Sequence, residues 1–281
     1  MRLLAALAVL FAAVSASAED PSPVDVRLVA STTAIEAGKQ FEVGVLLHVQ
    51  PGWHVYWLNP GDAGLPTSVR WTVPDGFTVG ALRWPVPQRF EQPGGVVGYG
   101  YLDSVLLSAT VTPPATLASD GSIPVRADVG WLACEKICVR GRKTLDVALG
   151  RDADPAAAAP GLFAEWAKRL PIDPRSDSAP ATVTARGSVP ADGTSGTVTV
   201  DIDWKQQPAS VEWFPPDDPA LDVESAQSRT DGGRTRLTFQ AKRLSGQQPK
   251  QPVLESVVGY SDASGVRHGL RVPVDIDGKE T

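Results

Sequence analysis

Short alternating runs separated by glycine and proline turn signals constrain the fold of this chain more than any other feature. Residues 41–48, 125–131 and 145–149 each alternate with period two, which puts one set of side chains on a core face. Turn signals recur along the same region, at residues 51–52, 59–61, 74–76, 93–95 and 120–121. The chain has 26 glycines and 25 prolines, and this content favours short strands over long helices. The pattern predicts a β-sandwich over residues 24–149.

A second β region follows a short helical segment. Residues 152–170 have a helical pattern that Pro171 and Pro174 end, and alternation returns in residues 197–202. The sequence therefore predicts an all-β chain of two sandwich domains joined by a short helix and linker. The predicted segments are a signal peptide at 1–18, a first domain at 19–150, a helical linker at 151–180 and a second domain at 181–281. In the second domain we expect Trp204, Trp213 and Phe214 to be core or domain-interface residues.

The N-terminus has the pattern of a secretory signal. Arg2 precedes an apolar stretch over residues 3–14, and Ala16-Ser17-Ala18 is a small-residue cleavage site. The mature chain is therefore predicted to begin at Glu19. The apolar stretch is too short for a good membrane span, and no later segment reaches the roughly 18 apolar residues that a transmembrane helix needs. We expect an exported protein with no direct membrane span.

Charge and motifs exclude several classes of function. The formal net charge is −6, which argues against nucleic acid as a partner. The sequence has no phosphate-binding glycine loop and no double CxxC motif of the zinc type, and its three histidines are His48, His54 and His268. We therefore expect no cofactor and no metal.

Cys134 and Cys138 are the only cysteines. Two cysteines in an exported chain usually pair, because the compartment is oxidising. The ring that such a disulfide closes is short, so loop-closure entropy contributes only about 2 kcal/mol of stability. Positive charge favours the reactive thiolate. The neighbours of the pair are mainly basic, with one acidic residue, Glu135, against Lys136, Arg140, Arg142 and Lys143. These features favour a redox-active pair, while a passive structural disulfide and a metal or copper site stay open as alternatives.

Three segments resemble the periplasmic N-terminal domain of the DsbD family of thiol:disulfide interchange proteins, and in particular its ScsB branch, which is linked to suppression of copper sensitivity. The segments are 51–66 (PGWHVYWLNPGDAGLP), 98–101 (GYGY) and 131–138 (WLACEKIC). The resemblance covers about residues 25–150 and is most specific at the cysteine hairpin. It is weaker in the second half, which is similar to the companion β domain of ScsB-type proteins.

The resemblance implies immunoglobulin-like sandwiches and electron relay by thiol–disulfide exchange. It implies that a cap loop over residues 95–99, with Val96, Val97 and Tyr99, shields the cysteines. It also implies that His54 and Tyr56 support the cysteines from an adjacent strand, and that Cys138 is the sulfur a donor attacks first. Because Trp53 and Trp57 alternate with these two residues, we expect them in the core.

Two features depart from DsbD itself. Its cysteines are separated by five residues, whereas Cys134 and Cys138 are separated by three. The sequence also carries no membrane domain and no thioredoxin-like domain, so we expect a stand-alone form that a separate membrane reductase serves.

The sequence thus predicts a periplasmic thiol-disulfide interchange protein, an oxidoreductase of the protein-disulfide reductase type. It is expected to exchange electrons with periplasmic thiol-disulfide proteins through Cys134 and Cys138. The alternatives are a non-catalytic binding module with a structural disulfide and a protein that handles copper or another metal.

Overall fold

A computed structural model describes residues 22–92, 94–117, 122–150, 158–244, 249 and 253–277. The predicted signal peptide, the turn signal at 120–121 and the first part of the predicted linker lie outside these residues.

Within the described residues the chain forms seventeen strands and one short helix. The elements before the helix are β1 (Val24–Ala30), β2 (Phe41–Val49), β3 (His54–Gly61), β4 (Ser68–Thr72), β5 (Thr78–Val79), β6 (Gln88–Gln92), β7 (Val96–Tyr101), β8 (Ser104–Thr112), β9 (Ile123–Cys134) and β10 (Cys138–Leu149). The helix and the later strands are α1 (Pro160–Ala167), β11 (Ala181–Gly187), β12 (Gly196–Trp204), β13 (Ser210–Phe214), β14 (Leu221–Asp231), β15 (Arg234–Arg243), β16 (Val253–Ser261) and β17 (Arg267–Asp275).

The first ten strands form two antiparallel sheets that pack as a sandwich. One sheet has the order β1-β2-β8-β5, and the other has the order β10-β9-β3-β7-β6 with β4 paired to β9. The predicted alternation is confirmed, since Val45 and Leu47 of the first sheet and Val129 and Trp131 of the second are buried in one core. This packing of antiparallel sheets confirms the predicted all-β, immunoglobulin-like class of fold.

The later strands form a second pair of antiparallel sheets, with the orders β11-β12-β15-β14 and β13-β16-β17. Val198, Val200 and Ile202 point into a core that also holds Leu270 and Val272. The predicted domain boundaries stay a prediction.

The sheet β13-β16-β17 belongs to the second sandwich, and its two faces contact different cores. Trp213 and its cross-strand partner Val258 lie in the second core, whereas Phe214 and its partner Val257 pack with the core of the first sandwich. Neighbouring residues of a strand point to opposite faces, so a single sheet can contact both cores. The expectation that Trp213 and Phe214 are core or interface residues is confirmed.

Two local predictions differ from the structure. The turn expected at residues 59–61 instead belongs to β3, where the Asn59 side chain accepts a hydrogen bond from the Gly61 amide at 2.9 Å and the pairing with β7 shifts register. A side-chain hydrogen bond that is typical of a turn therefore lies inside a strand. Among the described residues 158–170 of the predicted helical segment, the helix occupies Pro160–Ala167, with proline at its first turn, and its Phe163 is buried.

Candidate functional site

The two cysteines face each other at the end of the hairpin that β9 and β10 form. Cys134 ends β9, Cys138 begins β10, and the two are direct cross-strand partners with Cα atoms 4.1 Å apart. Their sulfurs form a disulfide, as predicted. The tip is closed by a hydrogen bond from the Glu135 amide to the Ile137 carbonyl at 3.1 Å.

The two sulfur-bearing residues differ in exposure. Cys134 is only 1% exposed, whereas Cys138 is an exposed residue. Thiol–disulfide exchange requires access to one sulfur along the direction of attack. A nucleophile in solution therefore has freer access to Cys138.

Aromatic side chains from β3 cover the buried cysteine. His54 is the cross-strand partner of Cys134, and Tyr56 packs with Cys134 and Leu132 in one buried cluster. Residues directly opposite each other in an antiparallel pair have Cβ atoms about 4.5–5.5 Å apart. The structure thus brings the predicted supporting residues His54 and Tyr56 to the cysteine pair.

The other face of β3 belongs to the sandwich core. Val55 and Trp57 are buried there, and Trp53 packs against the same core just before the strand. The expected division between a core face and a cysteine face is therefore confirmed, and it follows from period-two alternation in residues 53–57.

Hydrogen bonds fix the position of the Tyr56 ring. Its hydroxyl oxygen lies 3.3 Å from His54 Nε2 and accepts a hydrogen bond from Gln92 Nε2 at 3.0 Å. Gly64 lies against the ring face, where a Cβ atom would come within 2.4 Å of Tyr56 Cε1. Glycine at this position lets the backbone approach the ring.

Burial changes the titration of His54. The side chain is 6% exposed, and desolvation of the charged form lowers its pKa. The imidazole beside Cys134 is therefore neutral at neutral pH.

The ring of Phe90, on β6, packs against this cluster. Its centroid lies 4.1 Å from that of His54 and 6.0 Å from that of Tyr56, and it packs against the cluster that contains Cys134. Gly98 of β7 lies opposite Phe90. A Cβ atom on Gly98 would come within 2.3 Å of Phe90 Cε2, so glycine leaves the room that the ring needs. Phe90 therefore covers the cluster that holds Cys134, the buried cysteine of the pair.

The predicted cap residues lie on the same β6–β7 hairpin. Val96 and Val97 are partly buried on β7, and the Tyr99 ring contacts Phe214 of the second sandwich, with centroids 5.4 Å apart. The structure thus places the predicted loop beside the cysteine cluster but directs Tyr99 toward the second sandwich. The shielding roles of Val96, Val97 and Tyr99 stay predictions.

Comparison with known proteins assigns this part of the chain. The family model described as "Thiol:disulfide interchange protein DsbD, N-terminal" matches residues 23–149, which include the cysteine hairpin, β3 and the β6–β7 hairpin. Residues 23–149 are a DsbD N-terminal domain. No curated protein sequence matches the chain.

A solved structure extends the similarity in fold beyond the DsbD N-terminal domain. The crystal structure of the N-terminal periplasmic domain of ScsB from Proteus mirabilis matches with a TM-score of 0.63 at 15% sequence identity. The match covers 90% of this chain and 94% of the ScsB chain. Both sandwiches therefore have a counterpart of similar fold.

The surface around the DsbD N-terminal domain's cysteine pair is basic. Lys136 lies at the hairpin tip, and Arg140 and Arg142 follow Cys138 at alternate positions of β10. All three are exposed. Because Arg140 is opposite Leu132, a member of the cysteine cluster, these arginines share the cysteine face of the sheet.

Across the described ranges, no group of three or more His, Cys, Asp or Glu side chains is arranged to hold a metal ion. In the same part of the chain, no helix has the length and apolar character to cross a membrane.

Two residues of the DsbD N-terminal domain's site were not predicted. Phe90 and Gln92 contact the aromatic cluster from β6. The only sequence signal was their position on alternate residues of a short run just before the predicted cap loop.

Proposed function

We propose that the protein is a periplasmic thiol-disulfide interchange protein that relays electrons through Cys134 and Cys138. The observation that carries this proposal is the asymmetric cysteine pair of a DsbD N-terminal domain, with one exposed and one buried residue at a hairpin tip. Such an arrangement presents one sulfur for attack and holds the other as the resolving group.

Exchange proceeds in two balanced steps. In the reduced protein, the Cys138 thiolate attacks one sulfur of a partner's disulfide, and the partner's other sulfur leaves as a thiolate and takes a proton from water. The Cys134 thiolate then attacks the Cys138 sulfur of the mixed disulfide, and the partner's second sulfur leaves. Two electrons and two protons have passed to the partner, and the Cys134–Cys138 disulfide has formed. A donor dithiol re-reduces the pair by the reverse sequence and attacks Cys138 first.

The residues around the pair have distinct roles in this proposal. The neutral imidazole of His54, opposite Cys134, accepts the proton that Cys134 loses before it attacks. Tyr56 fixes the position of that imidazole. Arg140 and Arg142 favour the thiolate of Cys138 through their positive charge.

The proposed partners are periplasmic thiol-disulfide proteins and a separate membrane reductase that supplies electrons. A role in copper tolerance stays a prediction that rests on similarity to the ScsB branch. Export is supported by the sequence pattern of residues 1–18. Mass spectrometry of the protein from its native host should find Glu19 at the N-terminus, whereas intact Met1 in a membrane fraction would contradict export.

A mixed-disulfide trap tests the electron relay. In Cys134→Ser the resolving sulfur is absent, so an adduct through Cys138 should accumulate in the periplasm of the native host and disappear on treatment with a reductant. Cys138→Ser is the matched control, because its remaining cysteine is buried and should give no adduct. Adduct formation by Cys138→Ser alone would reverse the assignment of the two roles.

The reduction potential separates the leading function from an inert binding module. Structural disulfides in secreted proteins typically have potentials below about −300 mV. We expect the Cys134–Cys138 couple to equilibrate with glutathione or dithiothreitol buffers at a higher potential than that. A lower potential, together with no adduct from either variant, would leave a non-catalytic binding module with a structural disulfide as the better account.

A further inference from the structure

The β6–β7 hairpin has two faces that contact different parts of the protein. Phe90 is paired with Gly98, and its ring packs on the cysteine cluster. The adjacent pair, Arg89 and Tyr99, must lie on the other face because successive residues of a strand alternate. The hairpin therefore separates the disulfide from the second sandwich.

Phe214 of the second sandwich contacts that other face. Its side chain is fully buried, with its ring 5.4 Å from the Tyr99 ring and 6.0 Å from the Trp57 ring, both in edge-to-face geometry. The guanidinium of Arg267 lies 5.6 Å from the same ring. An aromatic ring of the second sandwich thus completes the core under the hairpin.

Polar contacts hold the same elements together. Arg267 donates a hydrogen bond at 2.8 Å to the carbonyl of Pro87, the residue before β6, and forms an ion pair at 2.8 Å with Glu212 of β13. The Asn59 side chain donates to the carbonyls of Pro215 and Pro216, just after β13, at 3.2 Å each. The start of the hairpin and the strand β3 beside it are therefore both tied to the second sandwich.

We propose that the second sandwich, through Phe214, holds the β6–β7 hairpin in place and so controls how often Phe90 uncovers Cys134, the buried cysteine of the pair. This inference rests on the proposed function of the cysteine pair and assigns Phe214 as a positioning residue for it. Phe214 and Tyr99 belong to the core under the hairpin, whereas the cysteine cluster is separate from that core, so Phe214 acts through Tyr99 and the hairpin.

The physical basis is a local opening equilibrium. A hairpin at the edge of a sheet opens more readily than a central strand, and removing contacts from one face raises the population of the open form. Attack on a shielded sulfur is proportional to that population when opening is fast. A weaker contact at Phe214 should therefore accelerate reaction at Cys134, on the opposite face of the hairpin.

The test measures the rate at which iodoacetamide alkylates Cys134 in the full-length mature chain that carries Cys138→Ser, where Cys134 is the one remaining cysteine. In this background we expect Phe214→Leu and Tyr99→Leu to be alkylated about 3- to 10-fold faster than the parent chain, because loss of one aromatic pair corresponds to a factor of this size. Trp213→Leu is the matched control, because Trp213 stacks on Phe239 within the second core. It should perturb the second sandwich equally but leave the alkylation rate unchanged.

A double variant shows whether the effect acts through Phe90. In a Phe90→Ala background the shield is already absent, so Phe214→Leu should give no further acceleration. An unchanged rate in both Phe214→Leu and Tyr99→Leu, or the same acceleration with and without Phe90, would overturn the proposal. Tyr99→Leu keeps the test valid if Phe214→Leu does not fold. Because the probe is a small alkylating reagent, failure of this inference is distinguishable from failure of the mixed-disulfide trap with protein partners.

Discussion

His54 lies directly opposite Cys134 in the antiparallel pairing of β3 with β9. The imidazole packs between the rings of Tyr56 and Phe90, and burial lowers its pKa. Protonation of His54 would bring a charge into this aromatic cluster. The residue beside the disulfide therefore links the stability of the fold to pH.

We expect the free energy of unfolding to decrease as the pH falls below about 6.5, the ordinary pKa of histidine. The folded pKa of His54 is lower than the unfolded one. Between the two values the unfolded chain binds more protons, so stability rises with pH in that window and is fully present above it. His54→Gln should flatten this slope in urea denaturation at pH 5.5, 6.5 and 7.5, pH values chosen at about one-unit steps around the ordinary pKa. The exposed His48→Gln should keep it, and an unaltered slope in His54→Gln would contradict the prediction.

Phe90→Ala should open the sulfur of Cys134 to small thiols as a second point of attack, because the ring that packs on the cysteine cluster is removed. The rate of reduction by dithiothreitol should rise several-fold more than in Val96→Ala or Val97→Ala, which truncate residues of the predicted cap loop on β7. The comparison shows whether the Phe90 ring or the predicted cap loop shields the cysteine cluster. Equal acceleration in Val97→Ala would assign the shield to the loop.

Reduction of the disulfide should lower the free energy of unfolding by about 2 kcal/mol, because the closed ring is short. Urea denaturation of the oxidised and reduced forms measures the difference. The variant with both Cys134→Ala and Cys138→Ala should show no change on addition of reductant. A loss about twice as large in the wild type would indicate a structural disulfide.

Arg140→Glu combined with Arg142→Glu should slow alkylation of reduced Cys138 at neutral pH about twofold to fivefold, the range expected for exposed charges. Negative charge in place of positive charge lowers the fraction of thiolate, the reactive species. The effect should weaken at high salt, which screens exposed charges. Lys205→Glu with Arg229→Glu changes the net charge equally on the second sandwich and should leave the rate unchanged.

The local pattern of the sequence was sufficient for much of the fold. Alternation placed Val45 and Leu47 in the core, and the cysteine spacing predicted a hairpin with a disulfide. Alternation in residues 53–57 also separated the cysteine face of β3 from its core face. These features depend on neighbours in the chain, which is the information that a period-two pattern carries.

Features set by distant pairing could not be predicted in the same way. Phe90 reaches the cysteine cluster because its register with Gly98 leaves room for the ring, and neither residue alone indicates that register. The turn signal at Asn59 was misassigned for a related reason. Its side chain supports an irregular strand that pairs with β7, and pairing across strands overrides a local preference.

The ladder between β9 and β10 runs without interruption through twelve residue pairs, from Cys134 opposite Cys138 to Ile123 opposite Leu149. The disulfide thus joins the two strands at one end of a hairpin that backbone hydrogen bonds already hold together along its length. Breaking it leaves the register of the remaining pairs in place. We expect the two oxidation states to share this backbone arrangement, so a partner that distinguishes them has to recognise the chemistry of the hairpin tip.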